Sequence, residues 1–284
     1  EISRSDWSSD VCSSDLRRLT PPIHQPSILP KHMDTSLLEF IDQVDSTNTY
    51  LTGQIASGRD LPQLHTVVCR QQTAGRGMRG NTWTSRPGDS LTFSILLRSD
   101  MLQGKQQFAV SELAAWAVMR TFASYMTDDQ KQQLRVKWPN DIFYGDRKLA
   151  GILIEHSLTG TRVDYSVIGI GMNINDEAFP PELPSAISLR MITGRSLEPM
   201  EVLIRLHSEL SQLLPDFLLG RYQDVHRHYM KYLYRRDGFF LFTDIQGQFR
   251  AQIKDVTPEG RLVLQREDGW ERAYAFKEVR FDAE

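Results

Sequence analysis

Cysteine is scarce in this chain: its 284 residues include only Cys12 and Cys69. Two thiols cannot build the disulfide framework that stabilises many secreted proteins, so a reduced cytosol is the setting we expect. Cys69 ends the apolar run Thr66-Val67-Val68-Cys69. We interpret it as a small core residue rather than a nucleophile.

Long apolar runs and a strong charge imbalance are also missing. No run reaches the roughly 20 apolar residues that a membrane-spanning helix needs, and no basic start precedes an apolar stretch. The formal net charge of -3 gives no basic excess of the kind that marks nucleic-acid binders. We therefore expect neither a membrane nor a DNA partner. His226 and His228, the one close histidine pair, lie on a polar face and are not interpreted as a metal site.

The chain divides into three parts by composition. Residues 1–32 are rich in Ser and Asp and then in Pro, and we interpret them as a disordered or artefactual leader and linker. Residues 33–234 alternate strand and helix patterns and form the predicted main domain. Residues 235–284 show short strand patterns joined by Gly- and Asp-containing turns, which favours a small β-barrel.

Hydrophobic periodicity predicts the elements of the main domain. The predicted strands cover residues 37–44, 65–71, 91–97, 135–138, 142–144, 149–155 and 163–170. The predicted helices are a short one that Asp45-Ser46-Thr47-Asn48 opens and that runs through about Ala56, then 106–126, 202–214 with a break at Pro215, and 217–234. Ser46 or Asp45 is the expected cap of the first helix.

The most informative segment runs from Gln71 to Trp83 and reads QQTAGRGMRGNTW. Glycines at 75, 77 and 80 are expected to turn with positive φ and to bring the backbone close to a ligand. Free N–H groups in such a loop, together with the forked cations Arg76 and Arg79, suit carboxylate and phosphate oxygens. The spacing fits neither the Walker nor the dinucleotide pattern. A plain surface loop or an RNA-binding Arg-Gly stretch stays open on this segment alone.

Two further segments place polar groups at strand ends. The first reads RVKWPND from Arg135 and continues as GDRKLAGILIE from Gly145, so the Lys148 amine is expected at the mouth of an apolar strand. The second, Val167 to Asn175, is an apolar strand with two glycines that permit close approach by a ligand or another strand. Ordinary turn chemistry and strand packing remain alternatives for both.

Taken together with Asp45-Ser46-Thr47-Asn48, these segments resemble the biotin–protein ligase family, in its monofunctional type without an N-terminal DNA-binding domain. The resemblance covers roughly residues 37–176, and the C-terminal part is similar to the family's SH3-like domain. It implies an α+β fold in which helices flank a central mixed β-sheet, on the class II synthetase-like scaffold shared with lipoate ligases. A small C-terminal SH3-like β-barrel follows.

The resemblance also implies a site. It implies an ATP-dependent ligase that forms biotinyl-5′-AMP and transfers biotin to a specific lysine of a biotin carboxyl carrier protein. ATP and Mg²⁺ are the implied cofactors, biotin is the substrate, and Lys148 and Arg76 are the catalytic residues. The residues implied to bind biotin are Ser46, Thr47, Asn48, Gln72, Arg76, Gly77, Met78, Lys148 and Gly151. Those implied to bind ATP or the adenylate are Arg79, Trp83, Lys137, Asn140 and Asn173, and Asp141 is the implied metal ligand.

Two departures from the family pattern bear on partners and on the intermediate. Met78 and Asn81 stand where the family often has basic residues, so fewer cations are expected to retain the adenylate. The 32 residues before the pattern are too few for a DNA-binding domain, so we expect no regulatory DNA binding. The implied partner is the biotin carboxyl carrier domain of acetyl-CoA carboxylase or a related carboxylase, and a homodimer is left open.

Three other functions remain in view. A lipoate or octanoate ligase on the same scaffold is disfavoured by the polar set at 46–48 and 72, which suits a ureido ring. A non-catalytic biotin or adenylate sensor is disfavoured by the presence of Lys148 and Arg76. A single-strand nucleic-acid binder is disfavoured by the weakly acidic charge.

Overall fold

A seven-stranded mixed sheet organises the larger part of the chain. The computed structural model describes residues 35–84 and 88–282; the predicted leader, residues 1–32, lies outside them. The strand order is β1-β2-β3-β7-β6-β5-β4, and β1 runs parallel to β2 while the other neighbouring pairs are antiparallel. The strands are Leu38–Val44 (β1), Thr66–Gln72 (β2), Leu91–Leu97 (β3), Leu134–Lys137 (β4), Asp141–Tyr144 (β5), Arg147–Thr159 (β6) and Arg162–Met172 (β7).

Helices cover the sheet and close its core. They are Thr47–Ala56 (α1), Phe108–Ala123 (α2), Asp128–Lys131 (α3), Leu189–Thr193 (α4), Pro199–Leu218 (α5) and Tyr222–Lys231 (α6). Helix α1 contributes Leu51 to a small apolar cluster with Val67 and Val167, whereas α2, α5 and α6 pack into the main core. Within the described part of the chain, no helix is both long and apolar enough to cross a membrane.

The helix prediction around Pro215 is wrong. Helix α5 runs through Pro215 and ends at Leu218, and the chain breaks at Gly220, which has a positive φ of 78°. Proline lies here in the last turn of the helix, where the missing N–H costs one hydrogen bond and the next residues need not continue far. Glycine just beyond a helix end is the usual way to reverse the chain.

The C-terminal part is a five-stranded antiparallel sheet in the order β11-β10-β9-β8-β12. Its strands are Phe240–Asp244 (β8), Gly247–Val256 (β9), Leu262–Arg266 (β10), Glu271–Tyr274 (β11) and Arg280–Phe281 (β12). The mixed α+β architecture and the C-terminal antiparallel sheet agree with the prediction. Strand pairing among the described residues does not close this sheet into the expected barrel.

The two sheets share one core. Buried side chains of the C-terminal sheet, among them Phe242, Val256 and Leu264, belong to the same apolar cluster as those of α2 and the large sheet. The turn after β9 is docked directly, since the Phe108 N–H donates to the Pro258 carbonyl at 3.3 Å. The predicted boundary near residue 234 therefore lies between parts that pack against each other.

Candidate active site

A cavity of about 400 Å³ opens between the carboxyl end of β2, the middle strands of the large sheet and the C-terminal sheet. Thirteen of the fifteen residues predicted for the site line it. They are Ser46, Thr47, Asn48, Gln72, Arg76, Gly77, Met78, Trp83, Lys137, Asn140, Asp141, Lys148 and Gly151. Residues from four separate stretches of sequence, 46–48, 72–83, 137–141 and 148–151, thus meet at one place.

One end of the cavity is a polar group built around the start of α1. The Thr47 backbone N–H and its hydroxyl both donate to Gln72 Oε1, at 2.8 and 3.1 Å. Ser46 occupies the N-cap position, but its side chain makes no capping hydrogen bond. Within the part of the chain that the structure describes, the Ser46 hydroxyl and the Gln72 amide nitrogen show no protein partner, so both can bind a ligand with its own donors and acceptors.

Asn48 is held by the protein on every side. Its amide nitrogen donates to the Leu153 carbonyl at 3.3 Å and to the Glu155 carboxylate at 2.8 Å, while its oxygen lies 2.6 Å from the Ser94 hydroxyl. A Cβ on residue 169 would collide with this amide, so only glycine at that position leaves room for the Asn48 side chain. Both Asn48 N–H groups are engaged, which favours a holding role over the predicted ligand contact.

Backbone hydrogen bonds between its own residues close the glycine-rich loop into a small turn. Gly77 donates to Asn81 at 2.6 Å, and Trp83 donates to Gly75 at 3.0 Å. Only Gly80 of the three glycines has a positive φ, 88°. Gly75 is needed for a different reason, because a Cβ there would collide with the Trp83 carbonyl. The expectation of positive φ at all three glycines is wrong for 75 and 77.

The Trp83 indole packs against two strands of the sheet. Gly151 on β6 and Gly171 on β7 are register partners, and a Cβ on either would press into the Trp83 indole. The indole N–H is buried without a protein partner among the described residues. The Lys148 amine lies 5.8 Å from the ring centroid, so the indole and this cation share one wall of the cavity.

The two cations implied to be catalytic each hold an acid. Lys148 Nζ pairs with Asp141 at 2.7 Å, and Arg76 Nη2 pairs with Glu155 at 2.7 Å. All four side chains are partly exposed to solvent, with 27 to 45 per cent of their surface accessible. Ion pairs this open exchange partners readily. An anionic ligand can therefore reach both cations.

Lys137 has a different environment. Its amine lies 4.5 Å from the Phe143 ring centroid, 5.7 Å from that of Tyr234 and 5.6 Å from that of Phe281. Burial lowers the pKa of Lys137, and the nearby Asp141 carboxylate acts in the opposite direction. The aromatic faces stabilise the cation and fix where it points.

The side chains of Asn140 and Asn173 donate hydrogen bonds to backbone carbonyls and do not extend far into the cavity. The Asn140 amide donates to the Ile152 carbonyl, which ties the turn after β4 to β6. Asn173 is buried, does not line the cavity, and donates to the carbonyls of Lys148 and Ile187 at 3.3 and 3.1 Å. It thus fixes the strand end that presents Lys148, and its predicted adenylate contact stays a prediction. The Arg79 side chain lies outside what the structure describes.

The C-terminal sheet contributes a wall that sequence reasoning missed. The lining residues from this sheet are Phe276, Lys277, Val279, Arg280 and Phe281. Two aromatics and two cations within six residues were the available signal, but their direction depends on docking. Trp138 joins the parts, since its indole N–H donates to the Gly260 carbonyl at 3.0 Å.

The described lining of the cavity is strongly cationic. Arg76, Lys137, Lys148, Lys277 and Arg280 face a single acid, Asp141. Low-dielectric walls strengthen the field of such a cluster. The arrangement can bring together two anionic groups that would otherwise repel each other.

Other residues singled out by the sequence take structural places. Cys69 is buried, and burial raises the pKa of its thiol to about 11, as expected for a core residue. His226 bridges Glu112 and Asp255 at 2.7 and 3.1 Å. No group of three metal-ligating side chains occurs in the described ranges.

Comparison with known proteins agrees with this geometry. Residues 40–173 match the Biotin/lipoate A/B protein ligase family. The bifunctional ligase/repressor BirA of Bacillus subtilis is 28% identical over 236 residues, which cover 81% of this chain and 70% of that protein. The biotin–[acetyl-CoA-carboxylase] ligase of Paracoccus denitrificans is 32% identical over 142 residues, or 48% of this chain and 57% of that protein.

Solved structures agree on the fold. The biotin protein ligase of Aquifex aeolicus in complex with biotin and ATP superposes with a TM-score of 0.68 at 23% identity, covering 86% of this chain and 99% of that one. At this identity the likeness shows the shared fold. In sequence, the similarity to the biotin/lipoate A/B protein ligase family is therefore carried by residues 40–173, and the fold is that of the biotin protein ligases.

Proposed function

We propose that this protein activates biotin with ATP as biotinyl-5′-AMP and transfers the biotinyl group to a lysine of a carrier protein. The observation that carries the proposal is the cavity itself, where five described cations and one acid meet a polar group at the start of α1. The names of the relatives point the same way, since they include biotin–protein ligases and biotin–[acetyl-CoA-carboxylase] ligases.

The polar end of the cavity suits the ureido ring of biotin. That ring has one carbonyl acceptor and two N–H donors, and Ser46, Thr47 and Gln72 supply hydroxyl and amide groups that match them. A buried polar site of this kind rejects an acid without the ureido pattern, because its own groups would lose their partners. Phe93 and Ile170 of the sheet also line the cavity, and the apolar thiophane ring and chain of biotin lie against them in this proposal.

The cationic end suits the two reacting anions. Arg76 holds the biotin carboxylate, and Lys148 bridges it to the α-phosphate of ATP. A carboxylate oxygen attacks that phosphorus and the bond to pyrophosphate breaks, which leaves the mixed anhydride. Positioning and charge stabilisation are the two effects these residues supply. Lys137, Asn140 and Trp83 line the part of the cavity that takes the nucleotide.

Asp141 fits a role in holding Mg²⁺ with the nucleotide. Mg²⁺ is usually bound by one or two carboxylates and the substrate phosphates, and Asp141 is the one acid among the described lining residues. When bound, the ion offsets phosphate charge. Arrival of the ion would free Lys148 from its 2.7 Å pair with Asp141.

The second step needs an acceptor amine from outside. The ε-amine of a carrier lysine attacks the anhydride carbonyl, and an amide and AMP result. The acceptor that we propose is a biotin carboxyl carrier domain of a carboxylase. The anhydride hydrolyses in water, so the glycine-rich loop and Trp83 act as the cover over the intermediate.

A transfer assay tests the function. Labelled biotin is incubated with an apo biotin carboxyl carrier domain, with ATP and Mg²⁺ together and with each omitted. We expect label on the carrier only in the complete mixture. Lipoate and octanoate are run in parallel; transfer of either acid at a rate equal to biotin would favour the alternative ligase. Tight biotin binding without transfer would favour the sensor.

A further inference from the structure

A chain of hydrogen bonds connects the two ends of the cavity. Arg76 is paired with Glu155, Glu155 accepts from Asn48, and the Asn48 oxygen lies 2.6 Å from the Ser94 hydroxyl. Ser94 also lies 2.7 Å from Thr47 Oγ1, which donates to Gln72. The groups that face the ureido ring and the cation that faces the carboxylate are thus one network.

Glu155 connects the two halves of this network, because it bonds to both Arg76 and Asn48. Its Oε2 accepts from Arg76 Nη2 at 2.7 Å and from Asn48 Nδ2 at 2.8 Å, so two donors from different elements meet at one oxygen. Glu155 lies on β6, the same strand that presents Lys148 at its start. Both cations of the proposed reaction are therefore positioned from one strand.

The geometry leaves Arg76 able to bind a ligand while it is held. A guanidinium carries five N–H donors in a rigid fork, and Glu155 takes up one nitrogen of it. Among the described residues no other side chain pairs with this guanidinium, so the other edge of the fork can take a carboxylate. Without Glu155, the exposed Arg76 side chain would sample many rotamers and would meet the carboxylate less often.

A role limited to stability does not fit the pair. The side chains of Arg76 and Glu155 are 45 and 38 per cent exposed, and ion pairs as open as this contribute little to folding. Asn48, by contrast, is almost fully buried and needs an acceptor for its second N–H group. Glu155 meets that need and orients Arg76 at the same time.

We propose that Glu155 is a positioning residue that aligns the Arg76 guanidinium with the carboxylate of the bound acid through its shared contact with Asn48. The inference rests on the proposed function. The inference goes beyond the proposed function because Glu155 does not line the cavity and is expected to touch neither substrate.

The test is biotin-dependent exchange of pyrophosphate into ATP, which reports the first step alone. Variants Glu155→Ala, Glu155→Gln, Arg76→Ala and the double variant Glu155→Ala/Arg76→Ala are compared with the wild type. Asp216→Asn is the matched control, because Asp216 pairs with Arg221 at 2.6 Å on the surface away from the cavity.

We expect Glu155→Ala to lower kcat about 10- to 100-fold with KM for ATP changed less than threefold, since misplacement of a reacting group costs rate. Glu155→Gln should recover most of the loss, because its amide oxygen can accept the same two hydrogen bonds. The double variant should be no slower than Arg76→Ala, within about threefold, and Asp216→Asn should match the wild type.

Several outcomes would overturn the inference. A kcat of Glu155→Ala within twofold of the wild type would do so, as would losses that multiply in the double variant. An unfolded Glu155→Ala protein would also contradict it, because that result assigns the pair to stability. A wild type without any biotin-dependent exchange would instead refute the proposed function.

Discussion

Single glycines decide which groups can enter the cavity. Two glycines of β7 leave room for other parts of the protein, since the Asn48 side chain packs on Gly169 and the Trp83 indole packs on Gly171. A strand pattern shows that space is needed at a position. It cannot show what fills that space, because the partner comes from a distant part of the chain.

The sequence predicted most residues that line the cavity, but it did not predict the side chains that hydrogen-bond to them. Motifs around Arg76 and Lys148 indicated cations for an anionic ligand, and both side chains line the cavity. Ser94 and Glu155 escaped prediction because a lone Ser or Glu in a strand carries no pattern of its own. Their importance arises from sheet register and from contacts with α1 and the glycine-rich loop.

Met78 gives a prediction at the residue scale. It lines the cavity as an uncharged side chain in the loop that covers the intermediate. We expect Met78→Arg to slow dissociation of biotinyl-5′-AMP by about tenfold, which corresponds to about 1.4 kcal/mol from one added charge-assisted contact. Release of labelled adenylate from the enzyme measures this rate.

Met191→Arg is the control for that variant, since Met191 is 39% exposed outside the cavity. It should release the adenylate at the wild-type rate. A Met78→Arg protein that releases it equally fast would show that position 78 does not face the intermediate.

At the scale of elements, strand β6 organises the site. It carries Lys148, Gly151 and Glu155, and its place between β7 and β5 lets it contact the glycine-rich loop and the turn after β4. The apolar pattern predicted this strand as residues 149–155, whereas it runs from Arg147 to Thr159. The residues at both ends of β6 are mostly polar but still pair with neighbouring strands. A search for apolar residues therefore does not include them in the strand.

The last strand, β12, was not predicted at all. It has two residues, Arg280–Phe281, and pairs with β8. Two residues are too few for any periodicity. Yet Phe281 both lines the cavity and lies 5.6 Å from the Lys137 amine, so this short element connects the C-terminal sheet to the proposed nucleotide site.

Phe281→Leu tests that connection. The change keeps apolar bulk but removes the aromatic face next to Lys137. The loss of this cation–π contact is expected to destabilise the position of the Lys137 amine by about 0.5–1 kcal/mol. KM for ATP in the pyrophosphate exchange assay should therefore rise about two- to fivefold. KM for biotin should change little, because Lys137 faces the other end of the cavity.

Phe249→Leu is the matched control, because Phe249 packs on Phe242 and Tyr274 in the same sheet and does not line the cavity. It should lower stability to a similar extent without moving KM for ATP. If both variants had the same KM for ATP, β12 would have no specific role in nucleotide binding.

At the scale of the whole molecule, the two sheets are joined by buried apolar contacts and by charge. Composition predicted a change of architecture near residue 234 because turn spacing alters there. It could not predict that the core continues across that point, since core continuity depends on docking. His226 of α6 is a polar part of this junction, because it contacts Glu112 of α2 and Asp255 of β9.

The histidines predict how stability depends on pH. Burial lowers the pKa of His207 and of His156 to about 4, from 6.5, so both are neutral in the folded protein. The unfolded chain binds more protons between pH 6.5 and 4, and stability should fall as pH falls through that range. For His207 the loss is on the order of 3 kcal/mol.

His226 acts in the opposite sense. Its hydrogen bond to Glu112 raises its pKa, so the stability it contributes is complete below pH 6.5 and is lost as pH rises through the higher folded value. The free energy of unfolding should therefore be greatest near pH 6.5. Denaturant titrations between pH 5 and 8 measure it.

Two variants separate these contributions. His207→Gln should flatten the acid side of the profile, since glutamine can still donate to Thr66 but does not titrate. His226→Gln should flatten the side above pH 6.5. A wild-type profile that stays level from pH 5 to 8 would contradict the assignment of both histidines.

The central claim is that Lys148 and Arg76 bring two repelling anions together in one cavity. Biotin-dependent pyrophosphate exchange by Lys148→Ala, measured beside calorimetric titration of the same variant with biotin, tests it most directly. We predict that exchange falls at least about 100-fold while the Kd for biotin changes less than about fivefold. Exchange at the wild-type rate in a variant that still binds biotin would contradict the account.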